Sequence, residues 1–259
     1  MPILLYKKLG ETPLEAINRL RLERPDLEKA KLSYAGRLDP MAEGLLLVLS
    51  GEECSGEQRP HFLDLKKEYE VEILFGVTTD SYDILGLPQD FRINIEKLNV
   101  DSVKSQAEKV FKSFIGLEHG LTYPPFSSKT INGKPLFQIA LDGKLDTVEL
   151  PKISGSIDEI EVLGHRNVMT TALLEHVQRV ISLVRGDFRQ QQILGLWTSL
   201  LQNLPSSECW PILKIKVVCQ SGVYMRSLAK ELGDRLGIGA LAFSIKRTKV
   251  GEYAMPIKE

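Results

Sequence analysis

Long hydrophobic runs are missing from this chain of 259 residues. Its longest apolar stretches, such as GLLLVL and KIKVV, fall far short of the roughly 20 residues that a membrane-spanning helix requires. The N-terminus MPILLYKKLG lacks the order of charge, apolar core and cleavage site that marks a signal peptide, so a cytoplasmic protein is expected. Cysteine is scarce: Cys54, Cys209 and Cys219 show no CxxC spacing, which supports neither a zinc knuckle nor a disulfide framework. The four histidines (His61, His119, His165, His176) are scattered without ligand spacing, and HExxH, GxxxxGK[ST] and a strand-borne GxGxxG are all absent. Neither a metal nor a cofactor is therefore expected. No GxSxG elbow surrounds a serine. An excess of one charge is lacking too: 33 Lys and Arg face 34 Asp and Glu, a net −1, which argues against a protein that coats nucleic acid without specificity.

What is present is an ordinary globular composition, 43% hydrophobic and 26% charged, with enough apolar material for one large domain or two small ones. PILLYKK reads as a strand, and Leu14, Ile17 and Leu20 recur at helical spacing behind the helix-start signal Thr12-Pro13. LLLVL is a buried strand. KEYEVEILFGV alternates, with Tyr69, Val71 and Ile73 on one face, and DSYDILGLPQD follows as a polar loop. VDSVKSQAEKVFKSFIGLEHG predicts an amphipathic helix with Val103, Val110, Phe111, Phe114 and Ile115 on its apolar side. Asn132-Gly133 is a hairpin turn signal. Later come a strand in SGSIDEIEVLGHRNV, a long helical stretch from Ala172 to Gln202 with one glycine interruption, and a strand in ILKIKVVCQSG. Strands and helices alternate irregularly, which favours α+β over a doubly wound fold. Neither a repeat nor a Gly/Ser linker divides the chain. From Trp210 to Glu259 nine Lys plus Arg stand against four Asp plus Glu, a locally basic end suited to a few phosphate contacts.

The stretch YAGRLDPMAEGLLLVL, Tyr34 to Leu49, sets an acid between leucine and proline just before an apolar block. Asp39 has two readings. Aspartate before proline is a good helix start, contributing about 1 kcal/mol as a cap. Alternatively, Gly36 and Gly44 permit sharp turns, and the acid sits on a tight loop abutting a buried strand, fixed as a nucleophile or base.

GRLDPMAEGLLLVLSGE resembles the G-x-L-D-P-x-A-x-G-L-L motif of the TruB-type tRNA pseudouridine synthases. Three more stretches resemble family segments in the same order. They are KEYEVEILFGVTTDSYDILG, YPPFSSKTINGKPLFQIA (one residue shorter than usual between Pro125 and Gly133), and SGVYMRSLAKELGDRLGIGALAFSIKRTKVGEY. Together they cover most of residues 2–140 and 210–253. The resemblance implies a pseudouridine synthase catalytic fold, α+β, with a mixed, mostly antiparallel sheet flanked by helices and a central active-site cleft. It implies an isomerase that breaks the glycosidic bond of a specific uridine, uridine 55 of the tRNA T-loop, turns the base and rejoins it through carbon. Asp39 would be the catalytic carboxylate, acting by attack at C1′ or by proton abstraction at C2′, with Arg226 as its cation. An extruded base needs a replacement for lost stacking; Tyr69 and Tyr224 are the candidate rings and Ile245 an apolar floor. If their segment is extended, Tyr224 and Arg226 point to one face. Lys129, Lys134, Lys246, Arg247 and Lys249 are candidate phosphate contacts.

Three departures bear on these expectations. Tyr34 stands where most bacterial members carry a histidine, so that substrate-stacking role passes to Tyr34 or to another aromatic ring. Residues 169–205 look like a helical insert between two strands. The chain also ends soon after VGEYAMPIKE, so one catalytic domain over residues 1–259, without a C-terminal PUA-type domain, is expected to bind the tRNA T-arm alone as a monomer. The rival readings are a catalytically silent tRNA-binding or RNA-folding module on the same fold, a synthase acting on another RNA, and, more remotely, a hydrolase using Asp39.

Overall fold

A computed structural model describes residues 1–89, 99–117 and 120–255; His119 and the end of the loop at Asp90 lie outside them. The chain opens with β1 (Ile3–Lys7), α1 (Pro13–Glu23), β2 (Leu32–Ala35), β3 (Ala42–Ser50), α2 (Arg59–Asp64) and β4 (Lys67–Phe75). After α3 (Val100–Phe111) come the small strands β5 (Thr130–Ile131) and β6 (Lys134–Pro135), and then α4 (Leu136–Leu141). The long strand β7 (Ile157–Met169), helices α5 (Thr170–Leu183) and α6 (Gln190–Gln202) and strand β8 (Cys209–Cys219) follow. Last are α7 (Met225–Leu236), β9 (Ala240–Val250) and β10 (Tyr253–Ala254).

Eight strands form one sheet in the order β1-β3-β9-β4-β8-β7, with β2 added beside β3 and β10 beside β9. Every neighbouring pair is antiparallel except β3 with β9, where Ala42 pairs with Ile245 and Gly44 with Arg247. The fold is thus α+β on a mixed, mostly antiparallel sheet. Strand β3, beside β9, carries the apolar run Leu45–Leu49, all five residues buried. Each such side chain contributes about 1.5–3 kcal/mol by leaving water, more than any single cap in the molecule. One sheet face, through Val71, Ile73, Ile215 and Val217, packs under α3 and α7; the other, through Leu74, Ile212, Leu241 and Phe243, packs under α5 and α6. No helix among the described residues is long and apolar enough to cross a membrane.

Several elements differ from their sequence signals for identifiable reasons. Helix α1 begins as expected with a Thr12–Glu15 capping box, but Leu14 is 63% exposed while Ala16, Ile17 and Leu20 are buried. Leu14 and Leu20 lie six residues apart, about 120° round a helix, so they cannot share a narrow stripe. Helix α3 stops at Phe111 and tightens into a 3₁₀ turn over Lys112–Phe114, which leaves Ile115 exposed. The helical stretch 172–202 is two helices, broken across residues 184–189, where Gly186 has φ +83° and Arg189 φ +62°. They join the paired ends of β7 and β8, Met169 facing Cys209, as a helical hairpin. The hairpin turn at Asn132-Gly133 is present, with φ of +50° and +79°.

The loop after β4 departs most. Its residues are polar, yet Thr79, Ser81 and Asp83 are buried. They satisfy one another: Thr79 Oγ1 donates to the Asp83 carbonyl (2.6 Å), and Asp83 Oδ1 accepts from Ser81 Oγ (2.7 Å) and from the Leu85 N–H (2.9 Å). A polar group costs free energy on burial only when it lacks such partners.

Gly44 is the tightest point of the β3–β9 pairing. Its φ is +110°, and a Cβ there would stand 2.3 Å from the Arg247 carbonyl oxygen. Gly44→Ala must therefore part the two strands. A loss of about 2 kcal/mol or more is expected, read as a fall in the midpoint of chemical denaturation.

Candidate active site

Asp39 lies on the turn between β2 and β3. It caps no helix: its carbonyl accepts from the Ala42 N–H (2.9 Å), closing a tight turn that delivers the chain into β3. Beneath it is Arg247 of β9, 1% exposed. The Arg247 guanidinium donates to the carbonyls of Leu45 (2.7 Å), Arg37 (3.3 Å) and Gly36 (3.3 Å), fixing both ends of the turn. The expectation that Arg247 meets phosphate is thereby corrected, because a strand residue on the inward face of the sheet finds backbone acceptors before it finds solvent. Lys7 of β1 is fully buried behind the same turn and donates to the Ala42 carbonyl (2.5 Å). Burial lowers the Lys7 ammonium to about 8, although Asp39, Glu11 and Glu43 pull the other way.

Opposite stands Arg226, in the first turn of α7 and 2% exposed. Its Nε lies 2.8 Å from Asp39 Oδ2 and 3.5 Å from Asp83 Oδ2; the Asp39 contact is one between charges rather than an aligned hydrogen bond. Its Nη1 donates to the Ser81 carbonyl (2.9 Å) and its Nη2 to the Phe126 carbonyl (3.2 Å). The two acids differ in setting. Asp83 is buried, and desolvation raises its carboxyl to about 6 against the lowering effects of Arg226 and Ser81. Asp39 keeps 35% of its side chain exposed, toward a cavity of about 590 Å³.

Six of the residues singled out in the sequence meet at that cavity: Asp39, Tyr69, Tyr224, Arg226, Ile245 and the buried Arg247. Tyr69 and Ile245 form apolar wall, both buried, and burial raises the Tyr69 hydroxyl well above its ordinary value. Tyr224 packs edge-on against Tyr123, with ring centroids 5.5 Å apart. Tyr224 and Arg226 do not belong to one extended segment: Tyr224 is the extended residue preceding α7 and Arg226 is helical. The helix start, rather than strand alternation, brings both to the cleft.

Five candidates stand elsewhere, among them Lys134, paired with Asp142, Lys249, 3.5 Å from Glu68, and the exposed Lys246. Tyr34 does not line the cavity. Successive residues on β2 face opposite ways, so while Ala35 packs beside Leu45 and Leu47, Tyr34 packs with Leu5 and Ala16 under α1. Lys129 is exposed, with Nζ 5.0 Å from the Tyr123 ring centroid, outside the cavity lining. Sequence reasoning did not single out Lys7, Lys67, Asp83, Phe126 or Arg189. Lys67 and Asp83 carried a usable signal, a charge at an inward position of an alternating strand and an acid in an Asp-rich turn.

Residues 24–186, more than half of the chain, match the TruB family pseudouridylate synthase N-terminal domain. The chain belongs to this family. Among similar curated proteins is tRNA pseudouridine synthase B of Parabacteroides distasonis, 27% identical over 253 residues that cover 96% of this chain and 85% of that protein. The protein of the same name from Caldicellulosiruptor saccharolyticus is 28% identical over 251 residues, 97% of this chain and 67% of that one. Among solved structures, a chain of a Cbf5-Nop10-Gar1 complex shares the fold, with a TM-score of 0.51 at 17% identity over 97% of this chain and 50% of its own. The turn bearing Asp39 lies inside the TruB-matched segment; α6, α7 and β9 lie beyond it.

Asp83 should be visible in the pH dependence of stability. Its carboxyl sits near 6 in the folded chain against 3.8 for an ordinary aspartate, so the native state binds that proton more tightly than the unfolded state. The stabilisation is present below the ordinary value and is lost as pH rises through about 6. Denaturation midpoints of the wild type should fall across that window, and Asp83→Asn should remove that part of the slope.

Proposed function

We propose that this chain converts a uridine of the tRNA T-arm, uridine 55 in the T-loop, to pseudouridine, with Asp39 as the catalytic carboxylate. The observation that carries the reading is the pairing of Asp39 with the buried Arg226, 2.8 Å away, at the edge of a cavity large enough for one nucleotide. Family membership and the relatives named tRNA pseudouridine synthase B support it.

The chemistry is an isomerisation, so no second substrate enters. The C1′–N1 bond of the uridine breaks, the base turns, and a bond from C1′ to C5 forms; C5 gives up a proton and N1 gains one. Asp39 begins the sequence either by adding an oxygen to C1′ or by taking a proton from C2′. Both routes use the carboxylate anion, and Arg226 supplies the countercharge that accompanies it into the cleft. A uridine leaving its loop loses its stacking partners. Tyr69 offers a neutral aromatic face within the cavity, Tyr224 a second one, and Ile245 an apolar surface on which the detached base can rotate.

The charge of the lining suits RNA. With Arg189 paired to Asp80, Arg37, Lys67, Arg226 and Arg247 still outnumber Asp39, Asp83 and Asp187 there, although the whole chain is near neutral. A cleft with an excess of positive charge draws phosphate to the site. We assign the protein to the compartment that holds its tRNA, the cytoplasm, and read it as acting as a monomer, through one catalytic domain.

Mapping pseudouridine at single-nucleotide level in an unmodified tRNA transcript tests the proposal. Wild type should place one pseudouridine in the T-loop. Asp39→Asn should fold, because Asp83 still pairs with Arg226, and should lose turnover by at least about a thousandfold. A wild-type protein that binds tRNA but forms no pseudouridine would mark a silent RNA-binding module.

A further inference from the structure

The helical hairpin of α5 and α6 touches both sides of the cleft through its tip. On one side, Leu183 at the end of α5 lies against Gly10, where a Cβ would come within 2.6 Å of the Leu183 Cβ and carbonyl oxygen. The Gly10 N–H in turn donates to the Pro40 carbonyl (2.8 Å), next to Asp39. On the other side, Arg189 reaches the loop after β4: its Nη1 and Nη2 lie 2.6 Å and 3.3 Å from the two carboxylate oxygens of Asp80. The guanidinium of Arg189 also lies over the Phe126 ring, 4.1 Å from its centroid. Both contacts adjoin the Arg226 cradle, since Ser81 follows Asp80 and the carbonyls of Ser81 and Phe126 are the acceptors of the Arg226 guanidinium. Arg189 makes these contacts from a left-handed backbone conformation, φ +62°, which a non-glycine residue holds only where its surroundings impose it.

We propose that Arg189 is a positioning residue: the tip of the hairpin braces the two carbonyls that hold Arg226 and thereby fixes the distance between Arg226 and Asp39. The inference rests on the proposed isomerase reaction for its catalytic consequence, but not for its geometry. Asp80 is the partner that makes the brace rigid. Its Oδ1 also accepts from the Leu87 N–H (2.8 Å), so one carboxylate ties the hairpin tip to both strands of the loop. The planar guanidinium is required, because it pairs with two oxygens and stacks on a ring at once; a lysine could keep the charge but not the stacking.

The brace predicts an effect on the chemical step and not on RNA capture. In single-turnover reactions with excess enzyme on unmodified tRNA, Arg189→Met should slow pseudouridine formation about 10- to 100-fold, the scale on which small misplacements of catalytic groups act. The dissociation constant for tRNA should stay within about threefold, and Arg189→Lys should recover part of the rate. Asp80→Asn, which keeps an acceptor for the Leu87 N–H, should reproduce the defect if Arg189→Met does not fold. In nitrogen-labelled protein the Arg226 Nε–H resonance, assigned through Arg226→Lys, should move or broaden in both the Arg189 and Asp80 variants. Rates within twofold of wild type overturn the proposal, as does a loss that appears wholly in tRNA binding. Should wild type form no pseudouridine, the isomerase reading fails by itself; an unchanged Arg226 resonance in the variants would then overturn the brace, and a shifted one would uphold it.

Discussion

A guanidinium withdrawn from water must be met by acceptors on several sides, and at Arg226 that demand organises the cleft. Stripping an ion of solvent costs several kcal/mol even after relaxation. Two carboxylates, Asp39 and Asp83, and two carbonyls, Ser81 and Phe126, offset it. These groups come from the β2–β3 turn, the loop after β4 and the segment before β5, which share no sequence neighbourhood. The cation therefore acts as a fastener among loops that the sheet alone would leave independent. The same device recurs on the far side of the turn, where Arg247 gathers the carbonyls of Gly36, Arg37 and Leu45.

Two carboxylates around one cation raise the question of which does chemistry, and burial separates them. Asp83 is enclosed, accepts from Ser81 and Leu85, and is pushed up toward 6. Its lone pairs are engaged in holding the loop. Asp39 faces the cavity with a third of its side chain uncovered. Divergent environments for neighbouring acids are a common way of dividing roles between them. Here the buried acid holds the cation in place and the exposed one faces the cavity, which is the arrangement that the role proposed for Asp39 requires.

Local signals made part of this legible in the sequence. The apolar run at Leu45–Leu49 and the alternation in KEYEVEIL announce β3 and β4, and the Asn132-Gly133 turn follows from backbone sterics alone. Asp39, Tyr69, Tyr224, Arg226 and Ile245 were singled out through motif resemblance, and the fold brings all five to one cavity. What stayed hidden depends on distant pairing. Nothing near Arg247 shows that its partners are carbonyls some 200 positions away. Tyr34 was misplaced because its face of β2 is decided by α1. The burial of the polar loop after β4 is not legible, because composition reports polarity but not whether polar groups satisfy one another.

Burial of these cations also changes the meaning of the net charge. Lys7, Lys67, Arg226 and Arg247 are counted in the formal −1, yet all four are buried and serve mainly to hold backbone and carboxylates. Removing them from the surface leaves an exterior more acidic than the composition suggests, which disfavours indiscriminate adhesion to RNA. At the cleft, Arg37 adds to the positive charge of the lining. A protein with this distribution gains little from generic phosphate attraction and depends on a nucleotide that can enter the cavity. For the reaction proposed, selectivity then rests on shape and on the readiness of one base to leave its loop.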